Sequence, residues 1–399
     1  MADGGVLCLN AGSASLKFAL FPAAAAAEPG APALPAALLR GEIDAPGGVP
    51  VLRFARAGQP RQTVTPEAVR GDIGAEVAWL VDWLSGWMAR EGLGAPARVA
   101  HRIVHGGRRY TQATRITPAV LDDLRALTDL APLHQGPGLD GVRSAQAALP
   151  GAVQVACFDT AFHAGHTDAE RRYAIPREWH DQGFQRYGFH GLSYDAINRQ
   201  LPALLGERAR SAVVVAHLGS GASLCGLRDG ASVTTTMGFT ALDGLMMATR
   251  CGALDPGLVL HWTQQPGMDA ARLTELLYTR SGLLGVSGLS ADPRDLYASA
   301  DPRAREALEL FIASVVRQTG AVAAALGGLD ALVFTGGIGT HQAPIRAAVV
   351  GRLGWLGLAL DAAANERHAV DIGAPGSRVA LLCLPTDEEA VMALQAAGC

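Results

Sequence analysis

The sequence predicts an α/β protein of two domains, each a copy of one unit, on three observations. The chain has 399 residues, 49% of them hydrophobic, which is more apolar material than one small core takes up. Apolar strand-like runs alternate with helical spacing along it. Short turns rich in glycine and serine follow apolar runs at three places, and two of these turns share a pattern about half a chain apart.

The elements follow in order. Val6 to Phe21, VLCLNAGSASLKFALF, reads as two apolar strands around the small-residue turn Asn10 to Ser15, a β-hairpin. The Ala/Pro-rich stretch from Pro22 to Pro35 reads as a surface loop. Val77, Leu80, Val81, Leu84 and Met88 recur at helical spacing and predict a helix over Glu76 to Arg90. VQVACFD is an apolar strand that ends on Asp159, at the strand end where α/β proteins place ligands. Val213 to Gly230 repeats the opening pattern, strand, glycine-serine turn, strand. Gly12-Ser13-Ala14-Ser15-Leu16 lies on Gly219 to Leu224 with one insertion. Duplication accounts for the match, and coincidence of two small-residue turns is the competing explanation. A third strand, Ala331 to Thr335, runs into Gly336-Gly337-Ile338-Gly339, with a helix expected from about Pro344.

Backbone N–H groups in such turns form anion-binding concavities, and glycine lets phosphate oxygens come close. None of the three fits the G-x-x-x-x-G-K-[ST] loop or a G-x-G-x-x-G opening a helix. Two duplicated hairpin loops facing one another predict the actin-like and sugar-kinase fold (ASKHA, ribonuclease H-like) with a nucleotide in an interdomain cleft. The expected domains are 1–158, with the last helix 386–399 packing back on it, and 159–385.

Charge narrows the function. With 33 basic and 37 acidic residues the formal net charge is -4, so there is no basic footprint for nucleic acid or an anionic membrane surface. Apolar runs such as Ala321 to Leu329 fall short of the roughly 20 residues a spanning helix needs. Asp3 and Lys17 stand where a signal peptide has its basic and apolar regions, which favours the cytoplasm. Six cysteines without a C-x-x-C pair argue against a zinc site or a disulfide framework, and for buried thiols. Lys17 is the single lysine, so arginine supplies the other basic residues. A compact ammonium kept there differs from the planar guanidinium used elsewhere, and marks Lys17 as a candidate phosphate ligand.

Nine segments in order resemble the acetate kinase (acetokinase) family. They are LCLNAGSASLKFALF, HRIVHGG from His101, APLHQGPG from Ala131, CFDTAFH from Cys157, RYGFHGLS from Arg186, AHLGSGAS from Ala216, TTMGFTALDGLMMATRCGALDP from Thr235, FTGGIG from Phe334 and PTDEE from Pro385. The resemblance implies reversible transfer of the ATP γ-phosphoryl group to acetate, with Mg²⁺ (or Mn²⁺ in its place), in a cytoplasmic homodimer. Propionate kinase, or a broader short-chain carboxylate kinase, is the nearest alternative. An actin-like ATPase without a small-molecule acceptor is the alternative of another class.

The residue chemistry agrees with phosphoryl transfer, which is mostly positioning and charge neutralisation. Arg102 and Arg250 each lie between short glycine-bearing segments, and two guanidinium forks suit a carboxylate and a phosphoryl group. A surface salt bridge is the alternative for each. His190 and His134 can donate to phosphoryl oxygens, against the alternative of core histidines. His101 and His105 are four apart, but Gly106-Gly107 rules out the helix that would aim both rings at zinc. Asp159 and Glu388 are candidate Mg²⁺ carboxylates, direct or through water. Acetate is ionised at pH 7 and its oxygen needs no base, so Asp159 is expected to orient, whereas the resemblance also allows it proton transfer.

The resemblance further implies metal contact for Asn10 and ATP phosphate contact for Lys17, with the Ser13 and Ser15 hydroxyls beside them. It implies phosphate contacts for His217, Leu218, Gly219, Ser220 and Gly221. The adenosine pocket would be lined by Asp292, Pro293 and Arg294 with Gly337, Ile338, Gly339, Thr340 and His341, although Asp292 also reads as a helix N-cap. Val104, Leu133, Phe189 and Ala241 would surround the methyl group of the acid. The chain departs from the family at Ser220 (usually Asn), Thr234 (Asp), Thr340-His341 (Glu-Asn), Ala241 (Pro) and Tyr194 (His).

Overall fold

The computed structural model describes residues 4–12, 15–23, 34–44, 49–66, 73–131 and 135–399. They form two compact units, one of Met1–Ala164, Gly191–Gln200 and Asp387–Cys399, the other of Gly165–His190 and Leu201–Thr386.

The first unit is built on one sheet. Its strands are β1 (Val6–Ala11), β2 (Ser15–Phe21), β3 (Leu39–Asp44), β4 (Val51–Arg56), β5 (Gln62–Val64), β6 (Arg98–Ile103), β7 (Thr114–Arg115) and β8 (Val153–Phe158), in the order β5-β4-β3-β2-β1-β6-β8-β7. The expected hairpin is β1 with β2, Val6 opposite Phe21 and Ala11 opposite Leu16. β1, β6 and β8 run parallel. Alternation along β1 sends Leu7 and Leu9 to one face and Val6 and Cys8 to the other. The helix Ile73–Arg90 covers the first face with Val77, Leu80, Val81, Leu84 and Met88, the residues whose spacing predicted it. Each fully buried leucine there contributes about 1.5–3 kcal/mol. The helix Glu388–Ala397 covers the second face, where Ala390, Ala393 and Ala396 allow close approach to Ala19 and Ala100. Asp387 caps it, accepting from the Ala390 N–H at 3.0 Å.

The second unit carries β9 (Val213–Leu218), β10 (Ala222–Arg228), β11 (Ala231–Thr235), β12 (Ala331–Thr335) and β13 (Ala380–Cys383), in the order β11-β10-β9-β12-β13. β11, β10 and β9 are antiparallel, while β9, β12 and β13 are parallel. This repeats β3-β2-β1-β6-β8 strand for strand, so the sequence match between the two turns reflects a repeated unit. The helix Pro302–Leu326, capped by Asp301 and closed by Gly327, packs on this sheet and buries Phe311, Ile312, Val315 and Val322. It is long and apolar enough to cross a membrane, yet half of its most apolar window is buried in the protein.

The third turn differs from expectation. A helix starts at once, over Gly336–His341, and a second one, Ala343–Arg352, has Pro344 in its first turn. Gly336 makes the whole turn in one residue at φ 76°, where a Cβ would sit 2.6 Å from the Leu218 carbonyl oxygen. The glycines after it are helical despite their low intrinsic propensity, because the strand end and its neighbours fix them.

Candidate active site

In the first unit, parallel pairing gathers the polar strand ends. β8 delivers Asp159 just past Phe158, and β6 carries Arg102 opposite Cys157. β1 contributes Asn10, and the first turn of Glu388–Ala397 contributes Glu388 and Glu389. Arg102 is therefore a strand residue. Its Nε donates to Asp159 Oδ1 at 3.0 Å and its Nη2 to Oδ2 at 2.6 Å, a two-pronged pair whose carboxylate is 1% exposed. Its Nη1 donates to Asn10 Oδ1 at 3.1 Å. Asn10 Nδ2 in turn donates to Glu388 Oε2 at 2.9 Å and Glu389 Oε1 at 3.0 Å.

Electrostatics follow from the burial. Desolvation works against the Arg102 cation, but Asp159 and Glu388 outweigh it and raise its pKa. Desolvation, then Glu388, raises the Glu389 pKa. Behind the acids, Arg40 grips Asp387 with both nitrogens and lies 4.0 Å from Glu389. Lys17 is opposite Asn10 in the β1/β2 register, so both side chains share the face that carries Glu389. It is exposed and lines a cavity of about 300 Å³ with Arg40, Glu42, Arg53 and Glu389. Ser15 is half-buried at the start of β2, and Val104 is buried. Ser13, Leu133 and His134 lie outside the described residues.

His101 and His105 are core histidines. His101 is bonded to Gln154 at 2.8 Å, and His105 Nδ1 accepts from the Gly107 N–H at 2.9 Å. Burial lowers both to a pKa of about 4, so both are neutral at pH 7.

A second cluster forms within the second unit. His190 is held at φ 59°, a left-handed conformation rare outside glycine and asparagine and common at working sites. Its Nδ1 lies 2.8 Å from Ser223 Oγ, and its ring stacks on His217 at 4.3 Å between centroids. Arg250 is half-buried, and its Nη1 donates to the Ala241 carbonyl at 2.7 Å. The glycine turn closes between them: a Cβ on Gly221 would stand 3.2 Å from both Arg250 Nη2 and His190 Nε2. The Ser220 carbonyl accepts from the Ala248 N–H at 3.2 Å, tying the turn to the segment before Arg250. His190, His217, Gly221, Ser223, Ala241 and Arg250 thus come together, with Phe189 and Leu218 buried beside them in sequence.

The helix Gly336–His341 lies against the same turn, since β12 pairs Thr335 with His217 and Gly336 abuts Leu218. Gly337 and His341 are exposed, Ile338 is half-buried, and Gly339 and Thr340 are buried. Asp292 and Arg294 do not join this group by any hydrogen bond or ion pair among the described residues. Asp292 caps the helix Pro293–Ala298 through the Arg294 N–H at 2.8 Å and pairs with the Arg294 side chain, which lowers its pKa. Tyr194 is fully buried against Phe162 and His163.

Sequence reasoning missed Glu389, Arg40, Asp387 and Ser223. Glu389 and Asp387 stood inside PTDEE and Ser223 inside AHLGSGAS, so the motifs held them without ranking them. Arg40 had no local signal, because its role depends on β3 pairing beside β2. The first cluster is a set of hard oxygen donors beside one guanidinium, suited to a divalent cation and an anion. The second is a set of nitrogen donors around a glycine turn, suited to phosphate oxygens.

Comparison with known proteins gives the family. The profile of the Acetokinase family matches residues 5–394. An acetate kinase from Rhodopseudomonas palustris is 47% identical over 393 residues, covering 97% of this chain and 96% of that protein. Among solved structures, a propionate kinase from Francisella tularensis superposes with a TM-score of 0.86 at 32% identity, covering 98% of each chain. An acetate kinase from Porphyromonas gingivalis does so with a TM-score of 0.83 at 31% identity, again over 98% of each.

Proposed function

The chain belongs to the acetokinase family, and we infer from that premise that it transfers the γ-phosphoryl group of ATP reversibly to acetate, giving acetyl phosphate and ADP. The observation that carries this conclusion is the family match over residues 5–394, nearly the whole chain.

An acetate oxygen attacks the γ-phosphorus while the bond to the β–γ bridging oxygen breaks, so charge spreads over the equatorial oxygens. Arg250, His190 and, outside the described residues, His134 donate to those oxygens. The turn His217 to Gly221 and Lys17, with the Ser13 and Ser15 hydroxyls, take the nucleotide phosphates. Gly337 to His341, with Asp292, Pro293 and Arg294, take the adenosine. Arg102 meets the acid: three of its five N–H groups hold Asp159 and Asn10, which leaves two for a ligand. Asp159 orients Arg102 and removes no proton, because the acid arrives ionised. Val104, Leu133, Phe189 and Ala241 surround the methyl group.

The donors fit Mg²⁺. Glu388 is a carboxylate, and Asn10 Oδ1 keeps a second lone pair beside the one that Arg102 engages. Protein sites for this ion often offer only one or two such ligands, the phosphates supplying others. Bound there, it would neutralise phosphate charge.

The enzyme acts as a cytoplasmic homodimer. What supports the dimer is the helix Pro256–Thr263, PGLVLHWT, which has no buried residue although Leu258 and Leu260 are both exposed on it, and a second copy would cover them.

The test is ADP release from ATP with either acetate, propionate, butyrate or glycerol, with hydroxylamine trapping any acyl phosphate as its hydroxamate. Acetate should lead, with appreciable propionate turnover, since one methylene in an apolar pocket is worth only about 1–3 kcal/mol. Phosphorylation of glycerol without turnover of any acid overturns the conclusion.

A further inference from the structure

The largest fully buried side chain in the described protein is charged: Arg346, on the helix Ala343–Arg352, is 0% exposed. All five of its N–H groups are used. Nε donates to Asn365 Oδ1 at 2.7 Å, and Nη1 donates to the carbonyls of Gly339 at 2.8 Å and Thr340 at 2.9 Å. Nη2 donates to the Asn365 carbonyl at 2.7 Å and meets His368 Nδ1 at 2.9 Å. Every acceptor is neutral, and no carboxylate pairs with Arg346 among the described residues. Filling space does not explain it, because an apolar side chain would do that without the cost of burying a charge.

The acceptors do explain it. Gly339 and Thr340 are near the C-terminal end of the helix Gly336–His341, whose last carbonyls have no partner within the helix. Asn365 lies in the helix Ala362–Glu366, and His368 follows its end. Asn365 Nδ2 closes the ring by donating to the Ala343 carbonyl at 2.9 Å. His368, held at φ 52°, places its ring edge-on to the exposed His341, 6.0 Å between centroids. On the outer side of the same turn, a Cβ on Gly337 would meet nothing within 4 Å. One guanidinium therefore grips the turn from behind and, through His368, reaches the edge of the His341 ring, while the front stays open.

We propose that Arg346 is the positioning residue for nucleotide binding, holding Gly336–His341 in the shape that receives the adenine nucleotide. This rests on the assignment of that turn to the nucleotide under Proposed function. Lysine cannot replace it, since one ammonium has three donors and no planar fork.

The protein is tested as wild type, Arg346→Met, Arg346→Lys and His368→Ala. Calorimetry with ADP and no acid gives Kd, steady-state kinetics give KM for ATP and for acetate, and melting reports the fold. Arg346→Met and Arg346→Lys should raise the ADP Kd and the ATP KM at least tenfold, with the acetate KM within twofold. His368→Ala should raise the ATP KM about threefold at an unchanged Tm. If Arg346→Met fails to fold, His368→Ala carries the test: an unchanged ATP KM in it overturns the proposal. Folded Arg346 variants with ADP Kd within twofold of wild type, or with acetate KM raised as much as that of ATP, also overturn it. A wild-type chain that binds no ADP overturns the nucleotide assignment itself.

Discussion

Lys17 illustrates what one residue can and cannot disclose. Its rarity was visible in the sequence, and its pairing opposite Asn10 on the face of Glu389 was not, because that depends on strand register. Lys17→Arg should raise the KM for ATP or lower kcat at least tenfold, about 1.4 kcal/mol or more; unchanged kinetics would remove it from the phosphate site. Arg102 and Arg250 read alike in the sequence, each an arginine between glycine-bearing segments, yet the structure separates them. Arg102 compensates a carboxylate that is 1% exposed, whereas Arg250 is half-buried and bonded to a backbone carbonyl. Both alanine variants should lose about 10² in rate. Arg102→Ala should also lose about 3–5 kcal/mol of stability by stranding Asp159, and Asp159→Asn should restore part of it. Arg250→Ala should cost less, about 1.5–3 kcal/mol, the worth of a hydrogen bond from a charged group. Denaturant titration of the three variants distinguishes them, and equal stability losses would contradict the account.

At the scale of elements, the hairpins were legible because a small-residue turn between two apolar runs admits few other structures. The helix over Gly336–His341 was not, since glycine argues against helix and only the neighbouring Leu218 backbone confines the turn to one residue. The segment from β6 through His105 carries a pH dependence of its own. Burial lowers His101 and His105 from 6.5 to about 4, so both stay neutral in the folded protein while the unfolded chain takes up protons first. Their contribution is therefore complete above pH 6.5 and is lost as pH falls towards 4, by about 1.4 kcal/mol per pH unit for each. His101→Gln keeps an amide partner for Gln154 and removes one titration. Unfolding free energies between pH 6.5 and 5 should fall less steeply in that variant, by about 1 kcal/mol per unit on average; an identical slope would show that His101 does not titrate there.

For the whole molecule, the order of nine motifs implied the family, and both units show the strand order of one repeated sheet. Partnerships at long range were beyond sequence reasoning: Asn10 meets Glu388, and Arg346 meets His368, through tertiary packing that no local pattern encodes. The most direct measurement of the proposed phosphoryl transfer to a carboxylate is its reverse. Wild type and Arg250→Ala, purified identically, are given acetyl phosphate, ADP and Mg²⁺, and ATP is followed by luminescence. The account predicts rapid ATP formation by wild type and a rate about 10² lower in the variant; no ATP from wild type, or equal rates from both, would contradict it.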